Sequence, residues 1–321
     1  MGNTGPAELL AIWELGLAHH GPGRALLLHR AARPETAADE LLSLPVGERE
    51  ADLYALRRAL FGERMQIRAE CGGCGEAMEF DLDARDLGVR PGERDGPLRV
   101  EEGEWTVELR LPTVADVEAA AQAAAEAGGP LGANGNVGVD ANVGVGANGN
   151  TNTNGNGNVG ANGNVDAGTN ANLDAASDSY GGESDSYGGE AEREPTAATR
   201  ARRALLARCI VSVHRSGRPV AADRLPAAEL PEPVQRRLAE AAERADPAAD
   251  VTLNVACPEC GEATRAELDI ASYLWAELDH WARDLLLDVH LLATAYGWSE
   301  PQILALSPLR RRYYLELCAD G

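Results

Sequence analysis

Apolar residues recur at two different spacings along this chain of 321 residues, and the switch between them marks out its segments. The first sixty residues are spaced as helices. In PAELLAIWELGL, opened by Pro6, the residues Leu9, Trp13 and Leu17 return every four positions and define one apolar stripe. Gly21-Pro22-Gly23 breaks that pattern, and RALLLHRAA resumes it. Thr36 with Asp39 reads as a helix-start cap for TAADELLSL. GEREADLYALRRALFG then sets Leu53, Leu56 and Leu60 on one face, with Gly62 in the C-cap position.

From Met65 the period drops to two. Met65, Ile67 and Ala69 alternate with polar residues up to Cys71, and Met78, Phe80 and Leu82 do so after Cys74. That is a strand, a knuckle and a strand. The arrangement returns with Val251, Leu253 and Val255 before Cys257 and ATRAELDI after Cys260. WTVELRL is a further strand through Val107, Leu109 and Leu111, followed by a helix that Thr113 and Asp116 cap. Helical spacing is back in RARRALLARCIVSVH and in PEPVQRRLAEAAERAD. A long helix runs from about Ile270 to Tyr296 on the stripe Ile270, Leu274, Leu278, Trp281, Leu285, Val289, Leu292 and Tyr296. Gly297 ends it, Ser299 and Gln302 form a capping box for a short helix, and Ser307-Pro308 start the last one.

Between Gly128 and about Glu190 neither period is present. GANGNVGVDANVGVGANGN and the tandem SDSYGGE copies hold almost no large side chains. Such a segment cannot bury enough surface to offset its ordering entropy, so a long disordered Gly/Asn-rich insertion is expected. Its carboxylates are too sparse and irregular for a calcium-binding β-roll. The expected architecture is therefore mainly α with a small β zinc-ribbon element, an α+β fold. Its segments are residues 1–64, helical; 65–127, the first knuckle with strands and a helix; 128–194, the insertion; 195–268, helical with the second knuckle; and 269–321, helical.

Charge narrows the partners. The chain carries a formal charge of -22 with no lysine at all, which opposes a phosphate-binding surface. A nucleic-acid-binding role is not expected, and neither is a small-molecule substrate. No apolar run approaches the roughly 20 residues that span a bilayer, and the N-terminus lacks the basic region of a secretory signal. A cytoplasmic location without membrane contact follows as the expectation.

Cysteine spacing carries the chemistry. CGGCGEAMEFDLD from Cys71 and CPECGEATRAELD from Cys257 align at an offset of 186, matching at Cys, Cys, Gly, Glu, Ala, Leu and Asp. A redox dithiol would be followed by a helix, whereas each pair here runs through Gly-Glu into a strand. Cys71, Cys74, Cys257 and Cys260 are thus the expected ligands of one structural Zn2+, each sulfur at about 2.3 Å. The distance between the pairs is no obstacle. Loop closure costs only about 0.6 kcal/mol per doubling, against roughly 10 to 16 kcal/mol for structural zinc in small peptides. Cys209 and Cys318 read as buried thiols, Arg310, Arg311 and Arg312 as a solvated face, and the six histidines as face or core residues. The G-x-G-x-x-G matches GVGANG and GNGNVG lie inside the repeats with no helix after them, so they are accidents of composition. No catalytic residue emerges, and no enzyme is expected.

LLAIWELGL with RALLLHRAA, LLSLPVGERE with LYALRRALFGERM, and C-x-x-CGE-x-x-EFDLD together resemble the baseplate hub assembly chaperones of T-even phages. The likeness is greatest to the versions found in phage-tail-like contractile injection systems. The ending DVHLLATAYGWSEPQILALSPLRRRYYLEL is similar to that family's closing helices, so the resemblance covers roughly 1–127 and 195–321 and skips the insertion. It implies a non-enzymatic assembly or baseplate-associated protein whose partners are baseplate or tail-hub proteins. A zinc-ribbon module binding nucleic acid or serving transcription is the alternative from the residues themselves.

Overall fold

Four helices precede the first cysteine in the computed structural model: α1 (Pro6–Leu17), α2 (Pro22–Ala32), α3 (Ala38–Ser43) and α4 (Val46–Phe61). The structure describes residues 5–87, 90, 92, 96–126, 196–220 and 230–319, all in one compact unit. The Gly/Asn-rich segment, with the disorder expected of it and both G-x-G-x-x-G matches, lies outside the described residues.

The structure shifts several of the local expectations. The buried side of α1 is Leu10, Trp13 and Gly16, while Leu17 is exposed. The reason is Trp275, whose ring lies against Gly16. A Cβ there would collide with the indole ring of Trp275, so the helix turns its residue without a side chain toward that ring. Thr36 caps nothing; the N-cap of α3 is Ala37, with no side-chain hydrogen bond. The α4 helix buries far more than its Leu53–Leu56 face. Glu50, Ala51, Asp52, Tyr54 and Arg57 are buried too, and Leu60 only partly. It is a central helix with neighbours on most sides, and its charged residues are paired.

Two hairpins follow the period-two pattern. Strand β1 (Arg64–Glu70) pairs antiparallel with β2 (Ala77–Asp83). Strands β3 (Leu98–Glu102) and β4 (Trp105–Leu109) form a second hairpin, with Gly103 at φ 59 in its two-residue turn. Then α5 (Val114–Glu126) leaves the sheet and α6 (Ala197–Cys209) returns to it. Thr113 and Asp116 start α5 as a reciprocal cap, each backbone N–H donating to the other's side chain.

RARRALLARCIVSVH is not one helix. It changes at Cys209 into β5 (Ile210–Arg215), which pairs with β4 and, through a turn at Ser216-Gly217, with the short β6 (Arg218–Pro219). Ser216 and Gly217 both take positive φ, as the favoured two-residue hairpin turn requires. The resulting sheet, ordered β3-β4-β5-β6, joins strands from both sides of the Gly/Asn-rich segment. Helix α7 (Glu232–Ala245) covers it, putting Val234 and Leu238 against Val100, Trp105, Val107 and Leu109.

The second knuckle lies between β7 (Thr252–Ala256) and β8 (Ala263–Glu267), and three helices close the chain: α8 (Ile270–Tyr296), α9 (Glu300–Leu304) and α10 (Pro308–Ala319). Ser299 and Gln302 form the expected capping box. The main core is α8 against the N-terminal helices and β1, gathering Leu10, Trp13, Leu28, Leu53, Tyr54, Ile67, Leu274, Leu278 and Leu285. Polar contacts fix how these helices meet. Arg57 donates to both carboxylate oxygens of Glu277, at 2.8 and 2.6 Å, and Trp13 Nε1 donates to Asp279 at 2.8 Å. Asp246, after α7, accepts from Gly47 N–H at 2.9 Å, which places a carboxylate at the positive end of α4.

Cys209 is buried as expected, whereas Cys318 is only half-buried. Arg311 is not part of a solvated face: it is buried and donates to Asp288 at 3.0 Å. His29 is buried against Asp52 at 3.0 Å.

Asp52 also takes Arg33 at 2.5 Å and Arg90 at 2.6 Å. Burial by itself would raise its pKa, but the hydrogen bonds from His29, Arg33 and Arg90 outweigh it and bring the carboxyl from 3.8 down to about 2. A folded-state pKa below the unfolded one stabilises the protein above the unfolded value, and the gain fades as pH falls through the folded one. That is about 2 kcal/mol. We expect Asp52→Asn to be less stable than the wild type in urea above about pH 4, with the gap narrowing toward pH 2. A gap indifferent to pH would exclude this role.

The tip of the α5–α6 pair supplies a second expectation. Arg200 in the first turn of α6 donates to Ala124 O at 3.2 Å near the end of α5, and Arg110 N donates to Cys209 O at 2.9 Å where both helices meet the sheet. Arg110 and Arg208 both pair with the buried Asp116. The two helix ends that flank residues 127–195 are therefore held without that segment. Deleting Gly128–Glu190 should leave folding and metal content unchanged, as circular dichroism and elemental analysis would show.

Candidate metal centre

Each C-x-x-C turn is built by its backbone. In the first, Cys71 N donates to Glu76 O and Gly75 N to Cys71 O, both at 2.9 Å. In the second, Cys257 N donates to Glu262 O and Gly261 N to Cys257 O, again both at 2.9 Å. Gly75 and Gly261 have the same φ of 74, a conformation that glycine adopts without cost. Strand register repeats as well: Glu70 faces Ala77 in the first hairpin and Ala256 faces Ala263 in the second. The offset of 186 seen in the sequence is thus also the offset between two equivalent pieces of backbone.

The hairpins meet at their cysteines. Sγ of Cys71 lies 3.5 Å from that of Cys260, and Sγ of Cys74 lies 3.7 Å from that of Cys257. All four sulfurs are within 4.8 Å of one another. For four bonds of about 2.3 Å pointing to the corners of a tetrahedron, the expected sulfur separation is about 3.8 Å. The four thiols fit one metal ion. Each knuckle turns its first sulfur, of Cys71 or Cys257, into the protein and its second, of Cys74 or Cys260, outward. Among the described residues, no other group of His, Cys, Asp and Glu donors is close enough to share an ion.

Electrostatics favour a cation. Backbone N–H groups of Cys74 and Gly73 pull the Cys71 thiol down to about 6. Glu76 N–H pulls on Cys74 too, but the neighbouring thiols of Cys260 and Cys71 push that thiol up to about 12. Cys260 is raised against the pull of Glu262 N–H by the crowding of Cys71 and Cys257. Four sulfurs this close cannot all carry charge by themselves, and a bound divalent cation reverses that balance.

The centre sits between the main core and solvent. Among the described residues, the apolar cluster buried around it is Ala69, Cys71, Met78 and Cys257, with Phe80, Val255 and Ala266 alongside. Two lone hairpins with so small an apolar centre have little to hold them together. Their far ends are firmly placed. Met65 and Ile67 of β1 reach the main core, and Tyr273 Oη of α8 both donates to Gln66 O and accepts from Gln66 N, at 3.2 Å each. Asp269, two residues after β8, caps α8 by accepting from Ala271 and Ser272 N–H. One knuckle is therefore coupled to the end of α4 and the other to the start of α8. Nothing in the spacing of Gln66 or Tyr273 signals that contact.

Residues 31–134 match the family model described as T4 bacteriophage base plate protein. That stretch runs from the end of α2 through the first knuckle and α5. It contains Cys71 and Cys74 but neither Cys257, Cys260 nor the closing helices, so about a third of the chain is similar to this family. No curated protein and no solved structure gives a significant match.

The protein should bind one divalent metal per chain. Reconstitution with Co2+ should give the absorption of tetrahedral thiolate coordination, with intense sulfur-to-metal charge transfer. Cys257→Ser should abolish it and lower the thermal midpoint, while Cys209→Ser should leave the spectrum unchanged.

Proposed function

We propose that this chain is a non-enzymatic baseplate-associated protein, in the manner of a hub assembly chaperone, of a phage tail or contractile injection system. The observation that carries the reading is the similarity of residues 31–134 to baseplate proteins. Four thiolates suit zinc among common cellular metals, and four protein ligands leave no open position for water or substrate. Zinc in this reading holds the two halves of the chain in register and takes no part in a reaction.

A further observation supports a binding role. Among the described residues, an open groove of about 700 Å3 is lined by Leu44, Pro45, Leu98, Leu111 and Val211. Its charged groups, Arg110 and Glu48, are already engaged, Arg110 by Asp116 and Glu48 by Arg33 and Arg90. No helix is long and apolar enough to cross a membrane among the described residues. On this reading the protein acts in the cytoplasm, meeting baseplate or tail-hub proteins as they assemble and binding neither nucleic acid nor a small-molecule substrate.

Removing the gene from its host system tests the function. Tail particles should fail to form, or should form without a complete baseplate, when viewed by electron microscopy, and the purified protein should capture a baseplate or hub protein encoded beside it. Normal particles in its absence would defeat the reading. Tight, salt-sensitive retention of DNA or RNA on filters would point instead to the zinc-ribbon nucleic-acid module. X-ray absorption should show zinc with four sulfur neighbours.

A further inference from the structure

One side chain at the four sulfurs breaks the correspondence between the two knuckles. At the offset of 186, Thr264 of β8 stands where the first hairpin has Met78 in β2. Met78 is buried in the apolar cluster with Cys71 and Cys257, so a hydroxyl at the matching place is unexpected. Thr264 and Ala266 share a face of β8, and Ala266 packs on that cluster. Val255, the register partner of Thr264, packs on it as well. The Thr264 hydroxyl oxygen is buried, and among the described residues it has no hydrogen-bond partner.

The crossing of the hairpins sets what that hydroxyl lies beside. The second turn rests directly on the first: a Cβ at Gly73 would stand 3.2 Å from Cγ of Glu262 and 3.8 Å from Sγ of Cys260. Two residues back from Gly73 is Cys71, and two on from Glu262 is Thr264. The antiparallel crossing therefore brings those two together, with Sγ of Cys71 also 3.5 Å from Sγ of Cys260. The Cys71 thiol is lowered chiefly by the N–H groups of Cys74 and Gly73, and the Thr264 hydroxyl adds to their pull.

We propose that Thr264 is a positioning residue of the metal centre, its hydroxyl donating to Sγ of Cys71 when that sulfur serves as a thiolate ligand. The inference rests on Cys71, Cys74, Cys257 and Cys260 holding one ion. A thiol is a weak acceptor, and a buried hydroxyl without a good one is costly. A thiolate carries charge and makes the stronger, charge-assisted bond. The donor belongs to the second hairpin and the acceptor to the first, so the bond fixes one knuckle on the other. It also makes the two inner sulfurs unequal, because the residue matching Thr264 in the first hairpin is Met78, whose thioether has no hydrogen to donate.

The test uses the full-length, metal-loaded protein. Thr264→Val keeps the shape of the side chain and removes the hydroxyl. It should weaken Zn2+ binding by about tenfold or more in competition with a chelator, as loss of a hydrogen bond to a ligand does elsewhere. In the Co2+ form it should move the sulfur-to-metal charge-transfer band to longer wavelength, since a sulfur relieved of its hydrogen bond gives up an electron more easily. Thr264→Ser should restore both. Thr252→Val, on β7 with its hydroxyl directed to Asp250 at 3.5 Å, should change neither. Circular dichroism shows that each variant is folded, and Thr264→Ala supplies the same comparison if valine is not accepted. Unchanged affinity and spectrum in Thr264→Val, or weaker binding with the band unmoved, would overturn the proposal. A wild type that takes up no metal would instead overturn the four-sulfur centre, and this inference with it, so the two failures are told apart.

Discussion

The meeting of two hairpins at four sulfurs is the contact on which the arrangement of this chain turns. Each hairpin has only two strands and so little independent stability, and the cysteines that bring them together lie 186 positions apart. Their outer ends differ in what they join. One continues from α4, the buried central helix of the N-terminal half. The other runs directly into α8, on which the main core is assembled. A metal between the knuckles would set the angle and register at which α4 and α8 pack. The Arg57–Glu277 pair and the Tyr273–Gln66 contact read that register from the core side.

A second union of the two halves has a different character. The sheet β3-β4-β5-β6 runs from one side of residues 127–195 to the other, and α5 with α6 forms an antiparallel excursion from its middle. Asp116 anchors the foot of that excursion, held ionised well below the usual carboxylate range by Arg110, Thr113 and Arg208 against the opposing effect of burial. The chain is thus joined across the segment by the main core, by the cluster of thiols, and by strand pairing with buried ion pairs. Mean contact separation is large for the last two, which makes late formation of these unions the expected folding order.

Several buried polar groups of the main core are paired, His29 and Arg33 with Asp52, Arg57 with Glu277 and Trp13 with Asp279, whereas the buried Tyr54 hydroxyl has no partner among the described residues. On α10, Leu309, Tyr313 and Leu317 stay exposed. Residues 31–134, which contain Asp52, Arg57 and the first knuckle, are the part of the chain similar to the T4 bacteriophage base plate protein family.

Much of this was legible in the residues alone. Alternation around the cysteines, the length and stripe of α8, the capping box at Ser299 and the shared device at Cys71 and Cys257 are local patterns, and local backbone preference is enough to produce them. The four candidate ligands follow from that repetition. Strand β5 was not legible, because IVSVH follows a helix without a break and becomes a strand only where β4 offers hydrogen-bonding partners. The burial of α4 on most sides and of Arg311 was equally hidden, since a charged residue reveals its partner only when another element brings it close. Outside β3, β5 and β6, periodicity determined which segments are helix and which are strand. Tertiary structure decided which faces are covered, because burial belongs to pairs of elements and a single element's sequence records only its own side of the contact.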